Sequence, residues 1–496
     1  MNDIVFIKGQ GGLARPLPGE DHISGMLFYS DNIPSGFATE RTQLVLDLPS
    51  AIALGIVNDK TDETKATGGK VQITTPGAAA DINTISVQGV IIGSYTVTTG
   101  DVNDDVATGL RAAINATTNV HGYIAAGTGA DVTLIPPTGL GDSINGGTNI
   151  VFVSTGTGAA TVTQFSGGVD SFFDVIYYHI KEFFRINAGA TLYVHIADVP
   201  ATTYDFTEVD TMQRAVNGKL RQILVYVANN EQMSTTHITA MQSVLTLLET
   251  DHMPLSAIYA ADISSLSLTS LPDVRALIAQ KVSVCVGQDG NADGYDLFLE
   301  KGYSITCAGA MLGAFSKASV HENIGWVLKF NMANIELDVP SFAEGTKVSS
   351  LSTSAKNSIN NKGYIFLIKH IGNSGTYFND SHVCIAANSD YAYIESNRTI
   401  DKATRNIRQY MLPQLNGAVY VDALGKLRPE DVKYLENLGN QALIEMEKAG
   451  ELSGYKVVIN PDQNIVTSSV LNISIVNIPV GVSRNIQIKI GYSNSI

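Results

Sequence analysis

An alternation of helical and strand patterns between residues 170 and 286 constrains the fold more than any other feature of the sequence. Amphipathic segments alternate there with short segments that are apolar throughout. A strand that is apolar on both sides must be covered on both faces, as in parallel sheets flanked by helices. The predicted strands are Leu192–Ile196, Ile223–Val227, Leu255–Ala260 and Val282–Val286, and the predicted helices are Asp170–Asn187, Thr207–Val216, Ser234–Asp251 and Pro272–Gln280. We therefore predict an α/β fold with a three-layer, mostly parallel sheet core, formed by residues 21–65 and 169–395.

Residues 66–168 differ in composition from both flanks. They are rich in Gly, Thr, Ala and Asn, and Lys70 and Arg111 are their only lysine and arginine. Strand patterns such as Thr84–Val97 surround one helical pattern, Asp104–Asn115. This block is predicted to be an inserted β-rich peripheral domain.

The last hundred residues predict an α+β C-terminal domain, residues 396–483. Two amphipathic helices, Thr399–Met411 and Pro429–Ala449, precede the strand patterns Tyr455–Ile459 and Leu471–Ile478. The first helix has an apolar stripe, and Arg398, Lys402 and Arg405 gather on the opposite side with Arg408 near its edge. Two interpretations stay open for this basic face: a solvated surface, or a contact with an acidic protein partner.

Both chain ends carry isolated strand patterns. Residues 1–20 contain Ile4, Val5, Phe6 and Ile7 before a Gly-rich and Pro-rich stretch, so the first forty residues indicate an extended arm instead of a domain. Residues 484–496 contain Ile486, Ile488 and Ile490 in alternation with polar residues, in a predicted strand Asn485–Ile490. Because such strands need partners, we predict N-terminal and C-terminal arms that pair with other subunits.

Composition excludes several functional classes. A net charge of −15 argues against nucleic-acid or anionic-membrane partners, which need clustered Lys and Arg. No apolar run is long enough to predict a membrane span, and the N-terminus lacks a signal-peptide pattern. Cys285, Cys307 and Cys384 have no metal-ligand spacing and are predicted to be buried, reduced thiols.

One segment formally matches a calcium loop. Asp289, Asn291, Asp293 and Glu300 fit the EF-hand spacing. However, an apolar strand precedes the loop where an EF-hand has a helix, and Asp296 stands where such loops have an apolar residue. This context favours an Asx/Gly-rich turn, with calcium binding as the lesser alternative.

No pattern predicts catalysis or a cofactor. Gly9–Ala14 has the spacing of a dinucleotide fingerprint, but the prolines that follow prevent the helix that the fingerprint needs. The nine histidines form no metalloprotease motif, and His195, on a predicted buried strand, is expected to be a hydrogen-bonded core residue. The chain is therefore predicted not to be an enzyme.

Six short motifs, in a consistent order, resemble one group of contractile phage tail sheath proteins. They are KGQGGLARP from Lys8, VCVGQDG from Val284, GAMLGAFS from Gly309, NIGWV from Asn323, RTIDKATRNIR from Arg398 and IPVGVSRNI from Ile478. The resemblance covers roughly residues 1–60 and 170–496, and the inserted block resembles outer-surface domains that some sheath proteins carry. The chain lacks the P-G-V-Y-type opening of better-known sheaths.

The resemblance implies a virion tail component that is assembled in the host cytoplasm. Sheath subunits form stacked, hexameric rings around a tail tube, bounded by baseplate and tail terminator proteins, and contract to drive the tube through the host envelope. Their arms add strands to neighbouring subunits, here Ile4–Ile7 and Ile486–Ile490. Lys402, Arg405 and Arg408 would then face the tube. The alternatives are another self-assembling protein, such as a tail-tube or surface-layer component, and, least favoured, an α/β enzyme.

Overall fold

The computed structural model describes residues 20–60, 62–227 and 231–492. The strands in these ranges are β1 (Ser24–Tyr29), β2 (Thr42–Val45), β3 (Lys70–Thr75), β4 (Ile82–Val87), β5 (Val90–Thr96), β6 (Ile124–Ala126), β7 (Asp131–Ile135), β8 (Ile150–Ser154), β9 (Ala159–Thr163), β10 (Leu192–Ala197), β11 (Gln222–Tyr226), β12 (Ser256–Ala260), β13 (Val282–Cys285), β14 (Gly287–Asp289), β15 (Pro340–Phe342), β16 (Tyr364–Ile365), β17 (Leu367–Ile368), β18 (Tyr377–Phe378), β19 (Leu452–Val458) and β20 (Ser474–Pro479). The helices are α1 (Leu48–Ala53), α2 (Asn103–Ala116), α3 (Thr118–His121), α4 (Phe173–Ile186), α5 (Thr207–Ala215), α6 (Thr235–Thr250), α7 (Asp293–Lys301), α8 (Ala308–Lys317), α9 (Thr353–Asn361), α10 (Ile394–Met411), α11 (Pro429–Lys448) and α12 (Ile465–Ser468). The chain divides into two compact units, of which the smaller is residues 51–178 and the larger contains the described residues on either side.

The larger unit is built on a seven-stranded sheet. Its strand order is β16-β13-β12-β11-β1-β10-β2. All neighbouring strands are parallel except β2, which runs antiparallel to β10 at one edge. The fold is thus a mixed α/β arrangement with a mostly parallel core sheet and several small sheets, and the prediction of a mostly parallel core is confirmed.

Helices lie against both faces of this sheet. On one face, Leu27 and Val225 are buried in an apolar cluster with residues of α5 and α6. On the other face, the ring of Phe28 lies 5.9 Å from that of His179 on α4, and α8 packs on β11 and β12. Alternate residues of each strand therefore enter different apolar layers, which explains why these strands are mostly apolar on both sides.

Strand β1 lies within residues 21–65, which are predicted to belong to the core, and it corrects the wider interpretation of the first forty residues as an extended arm. Ser24 pairs with Leu192 of β10 and with Gln222 of β11, so β1 lies inside the main sheet. A Cβ at Gly25 would lie 2.9 Å from the end of the Leu220 side chain, so a larger residue here would need that side chain to shift.

The predicted helix Pro272–Gln280 is also wrong. Only Val274–Ala276 forms a single 3-10 turn, in which the Asp273 carboxylate accepts a hydrogen bond from the backbone N–H of Arg275. The Arg275 side chain is buried and donates to the carbonyl of Ile385, 110 residues away. Distant contacts here override a local helical pattern.

The smaller unit has its own apolar core. Two sheets, ordered β6-β7-β3-β9 and β5-β4-β8, pack with α2 around residues such as Val71, Ile85 and Leu110. The pattern Thr84–Val97 is a hairpin of β4 and β5, because Gln88 and Gly89 turn the chain with φ of 51° and 81°. The predicted helix Asp104–Asn115 is confirmed as α2.

The C-terminal region packs around α10. Ala403 of α10 joins Leu443 and Met446 of α11 and Val457 of β19 in one apolar cluster. Helix α10 begins at Ile394, five residues before the predicted start, and this additional turn contains Glu395.

Candidate assembly site

The C-terminal segment beyond β20 is the main candidate for a contact with another chain. Residues 480–492 form neither helix nor strand, and Ile486, Ile488 and Ile490 are 73%, 81% and 91% exposed. The predicted strand Asn485–Ile490 is therefore not formed in the isolated chain. Three alternating isoleucines exposed to this degree leave apolar area that another chain could bury.

Arg484 fixes the start of this exposed segment to the body of the protein. Its Nε donates to both carboxylate oxygens of Asp380, at 3.1 and 3.0 Å, and its terminal nitrogen donates to Glu395. The guanidinium carbon also lies 3.4 Å from the ring centroid of Tyr393. Such combined ionic and stacking contacts suit the planar, five-donor guanidinium and could not be made by Lys.

The two carboxylates that bind Arg484 are largely buried. The side chains of Asp380 and Glu395 are 12% and 6% exposed. Burial raises the pKa of Glu395, against the opposing effect of the Arg484 charge. Burial alone would lower the pKa of Arg484, but Asp380 and Glu395 outweigh it, and the net pKa is raised. Arg484 therefore stays charged and compensates two poorly hydrated carboxylates.

A second ionic cluster joins the first described residues to α10. The Asp21 carboxylate accepts from Lys402 at 2.6 Å and from Arg405 at 3.4 Å. Lys402 also donates to Glu451 at 2.6 Å. Burial raises the pKa of Asp21, but Lys402 and the nearby arginines outweigh it and lower it overall.

This cluster corrects the interpretation of the basic face of α10 as solvated. Arg398 is 4% exposed and donates to the backbone carbonyl of Ala318 at 3.1 Å. Lys402 and Arg405 are used in ion pairs within the chain, whereas Arg408 is exposed. The helical pattern shows which residues share a face, but not that acidic residues of the same chain cover it. A tube contact for Lys402, Arg405 and Arg408 stays a prediction.

The predicted N-terminal arm strand, Ile4, Val5, Phe6 and Ile7, lies outside the described residues.

The β19–β20 hairpin is a two-stranded sheet near the C-terminal segment in sequence. One face is packed against α10 and α11 through residues such as Val457 and Ile475. The other face includes Val476 and Ile478, which are 57% and 56% exposed. In the described part of the chain no further strand pairs with either edge of this hairpin, and unpaired edges can accept strands from other chains.

The residues of the calcium-loop pattern are not gathered around one point. Asp289 is fully buried, and its carboxylate accepts from the backbone N–H of Leu337 at 2.9 Å. Burial, reinforced by Glu336, raises the pKa of Asp289 to about 6. Asp293 begins α7 and pairs with Lys181, and Glu300 pairs with Lys301. Because a helix starts within the pattern, the carboxylates do not converge on one point.

Other chemical candidates have structural explanations. Across residues 20–60, 62–227 and 231–492, no group of three His, Cys, Asp or Glu side chains is placed to hold a metal ion. The three cysteines are free and buried, as predicted. His195 is 4% exposed, its Nδ1 lies 2.8 Å from the hydroxyl of Thr42, and burial lowers its pKa to about 4. It is thus the predicted hydrogen-bonded core residue.

No helix among the described residues is both long enough and apolar enough to cross a membrane.

The sequence prediction did not identify the residues that hold the C-terminal segment. Asp380 and Glu395 lie 104 and 89 residues before Arg484. One signal was present: Arg484 is the only charged residue between Asp462 and Lys489. An isolated charge in an otherwise uncharged segment indicates a specific partner, although not which one.

Two domain models of one family match this chain, and the Arg484 contact joins the two matched regions. Residues 140–382 match the N-terminal domain of DUF2586, and residues 390–496 match its C-terminal domain. Together these matches cover more than two thirds of the chain. The chain belongs to the DUF2586 family. Within this DUF2586 chain, Arg484 and Glu395 lie in the C-terminal match and Asp380 in the N-terminal one, so the Arg484 contact joins the two.

Several solved structures of sheath proteins are similar to this DUF2586 chain. The anti-feeding prophage helical sheath in its contracted state matches with a TM-score of 0.46 at 14% identity, over 64% of this chain and 81% of that one. A contracted sheath complex of an extracellular contractile injection system matches with 0.42 at 12%, over 64% and 80%. A sheath tail protein from Desulfitobacterium hafniense matches with 0.41 at 9%, over 97% and 100%. No curated protein sequence matches this chain.

Proposed function

We propose that this chain is a structural subunit of a contractile tail sheath, which polymerises helically around an inner tail tube. The observation that carries the proposal is the C-terminal segment, in which Ile486, Ile488 and Ile490 alternate while exposed and unpaired, directly after the fixed Arg484. An apolar alternating segment of this kind is suited to adding a strand to a sheet of another subunit. The sheath-like motifs of the sequence identify that other subunit as a second copy of the same chain.

The β19–β20 hairpin of a neighbouring copy is the proposed acceptor. Its edges have no third strand within the described residues, and a two-stranded sheet gains stability from further strands. Backbone hydrogen bonds would supply affinity, and the alternation of isoleucines would set the register. The N-terminal segment with Ile4–Ile7 is proposed to act in the same way.

The sheath proposal includes further partners and a working cycle. Subunits would stack as hexameric rings between baseplate and tail terminator proteins, in a virion tail assembled in the host cytoplasm. Contraction would move subunits from an extended arrangement to one that buries more surface, while the strand exchange persists. The function needs no catalysis, cofactor, nucleic acid or membrane insertion.

Two matched triple variants test the strand exchange. We expect Ile486→Ser/Ile488→Ser/Ile490→Ser to prevent tube formation, because each isoleucine that becomes buried contributes about 1.5–3 kcal/mol. The control, Asn485→Ser/Gln487→Ser/Lys489→Ser, changes the same segment on its other face and should assemble normally. Negative-stain electron microscopy and sedimentation measure the outcome. Tubes formed equally well by both variants would contradict strand exchange, and an unaltered protein that forms no tubes would contradict the sheath proposal.

We also propose that residues 66–168 form a peripheral domain that assembly does not require. The backbone N–H groups of Thr64 and Val169 each donate to the carbonyl of the other, at 3.1 and 2.8 Å. The chain therefore enters and leaves this block side by side. Asp62, which lies outside it, accepts from the backbone N–H of Phe172 at 2.8 Å at the start of α4.

Excision of residues 66–168 tests this layout. Joining Lys65 to Val169 should leave a folded protein that still forms tubes, because the junction spans one pair of hydrogen-bonded residues. Circular dichroism and electron microscopy measure folding and assembly. An excision of equal length that begins inside the block at Ile85, whose side chain is buried in its core, serves as the destabilised control. Loss of folding after the 66–168 excision would contradict the insertion.

A further inference from the structure

We infer that helix α10 fastens both the residues just before β1 and the segment after β20, and that Arg484 determines where the C-terminal segment leaves the body. Its assembly consequence rests on the proposed function, whereas the fastening itself is a property of the single chain. Arg484 is proposed as a positioning residue and not as part of the contact with a neighbour.

The two fastening points share one face of the helix. Glu395, which binds Arg484, and Lys402, which binds Asp21, are seven residues apart on α10. Seven residues are nearly two helical turns, so both side chains point the same way and are separated by about 10 Å along the axis. Arg398 lies between them on this face and donates to the backbone carbonyls of Ala318 and Ser319.

Both points are partly buried ionic contacts: the side chains of Arg484 and Asp21 are 28% and 26% exposed, whereas that of Glu395 is 6% exposed. At the C-terminal point, Asp380 is also the acceptor for Asn323 at 2.6 Å, and Glu395 accepts from Ser381. At the N-terminal point, Glu20 accepts from Arg221 at 2.5 Å beside the Asp21–Lys402 pair. A buried carboxylate that loses its cation keeps its desolvation cost, so these contacts resist replacement by water or by apolar groups.

The difference in exposure between Arg484 and Ile486 indicates what the fastening does. The Arg484 side chain is 28% exposed, whereas Ile486, two residues later, is 73% exposed. Fixing the chain at Arg484 restricts the positions that the following residues can reach, and so raises the effective concentration of the segment near one neighbour.

A nitroxide label at Ile486→Cys tests the C-terminal fastening without any assembly. The native cysteines are buried and will not compete for the label. We expect Arg484→Gln to shorten the rotational correlation time of the label at least threefold, measured by electron paramagnetic resonance. Lys489→Gln removes an exposed cation from the same segment and should leave the spectrum unchanged. An Arg484→Gln spectrum identical to that of the parent would overturn the inference.

A second variant tests the same fastening in case Arg484→Gln does not fold. Tyr393→Leu removes the ring beneath the guanidinium but leaves both carboxylates in place. It should give the label a higher mobility than in the parent, and an unchanged spectrum would also count against the fastening. For the N-terminal point, Asp21→Asn should speed hydrogen exchange in residues 20–24 at least threefold, with Asp31→Asn, at an exposed position, as control. Equal exchange in both variants would remove the N-terminal half of the inference.

Assembly then separates this inference from the proposed function. We expect Arg484→Gln, without the label, to raise the critical concentration for tube formation at least tenfold and Lys489→Gln to leave it unchanged. Tubes formed by Arg484→Gln at the parent concentration, despite a freed label, would refute the positioning role. If the parent forms no tubes, the proposed function fails, while the label and exchange results still decide whether α10 fastens the two ends.

Discussion

Replacing Lys281 with methionine is expected to lower the free energy of unfolding by about 3–5 kcal/mol, because it leaves a buried carboxylate without its cation. Lys281 is 1% exposed, and its ammonium lies 2.5 Å from the carboxylate of Asp401 on α10. The side chain of Asp401 is itself 7% exposed. Lys281 directly precedes β13, so the pair connects the central sheet to the helix that holds both fastening points. Urea denaturation of the single chain measures the change.

The cost comes from the unpaired charge, and a double variant shows this. Lys281→Met/Asp401→Leu should recover most of the loss, because replacing both members of a buried pair with apolar residues is often neutral. Lys448→Met breaks the pair with Glu445, whose members are 62% and 70% exposed, and should change stability by less than about 0.5 kcal/mol. A loss under about 1 kcal/mol for Lys281→Met would mean that Asp401 finds other compensation.

The central strands could be predicted because their environment repeats along the sequence. β10, β11, β12 and β13 each lie within two residues of the predicted limits. A strand covered on both faces is apolar at most positions, which is a local signal. Strand β1 has no such local signal, because it contains Gly25 and its partners β10 and β11 come more than 160 residues later. Its place in the sheet depends on distant contacts that no local pattern encodes.

The candidate assembly site could likewise be predicted only where its features are local in sequence. The alternation of Ile486, Ile488 and Ile490 is local, and the exposure of these residues agrees with a segment that needs a partner. The fastening by Arg484 depends on two carboxylates about ninety and one hundred residues away. Ion pairs between distant elements leave no periodic pattern, so sequence reasoning assigned the charges of α10 to solvent or to another protein. The structure assigns Lys402 and Arg405 to Asp21 of the same chain.

Gly309→Ala is expected to destabilise the protein by about 2–3 kcal/mol, although alanine in a helix normally gains about 1 kcal/mol over glycine. Gly309 is in the first turn of α8, where a Cβ would overlap the backbone carbonyl of His179 and lie 2.8 Å from its Cα. Backbone cannot rotate aside, so α4 and α8 must separate, which weakens their packing and the hydrogen bond from the Gly309 N–H to Nδ1 of His179. Gly189→Ala, where a Cβ meets nothing within 4 Å, is the control and should be neutral or slightly stabilising. Urea denaturation compares the two variants, and equal stability would show that the helices can move apart at little cost.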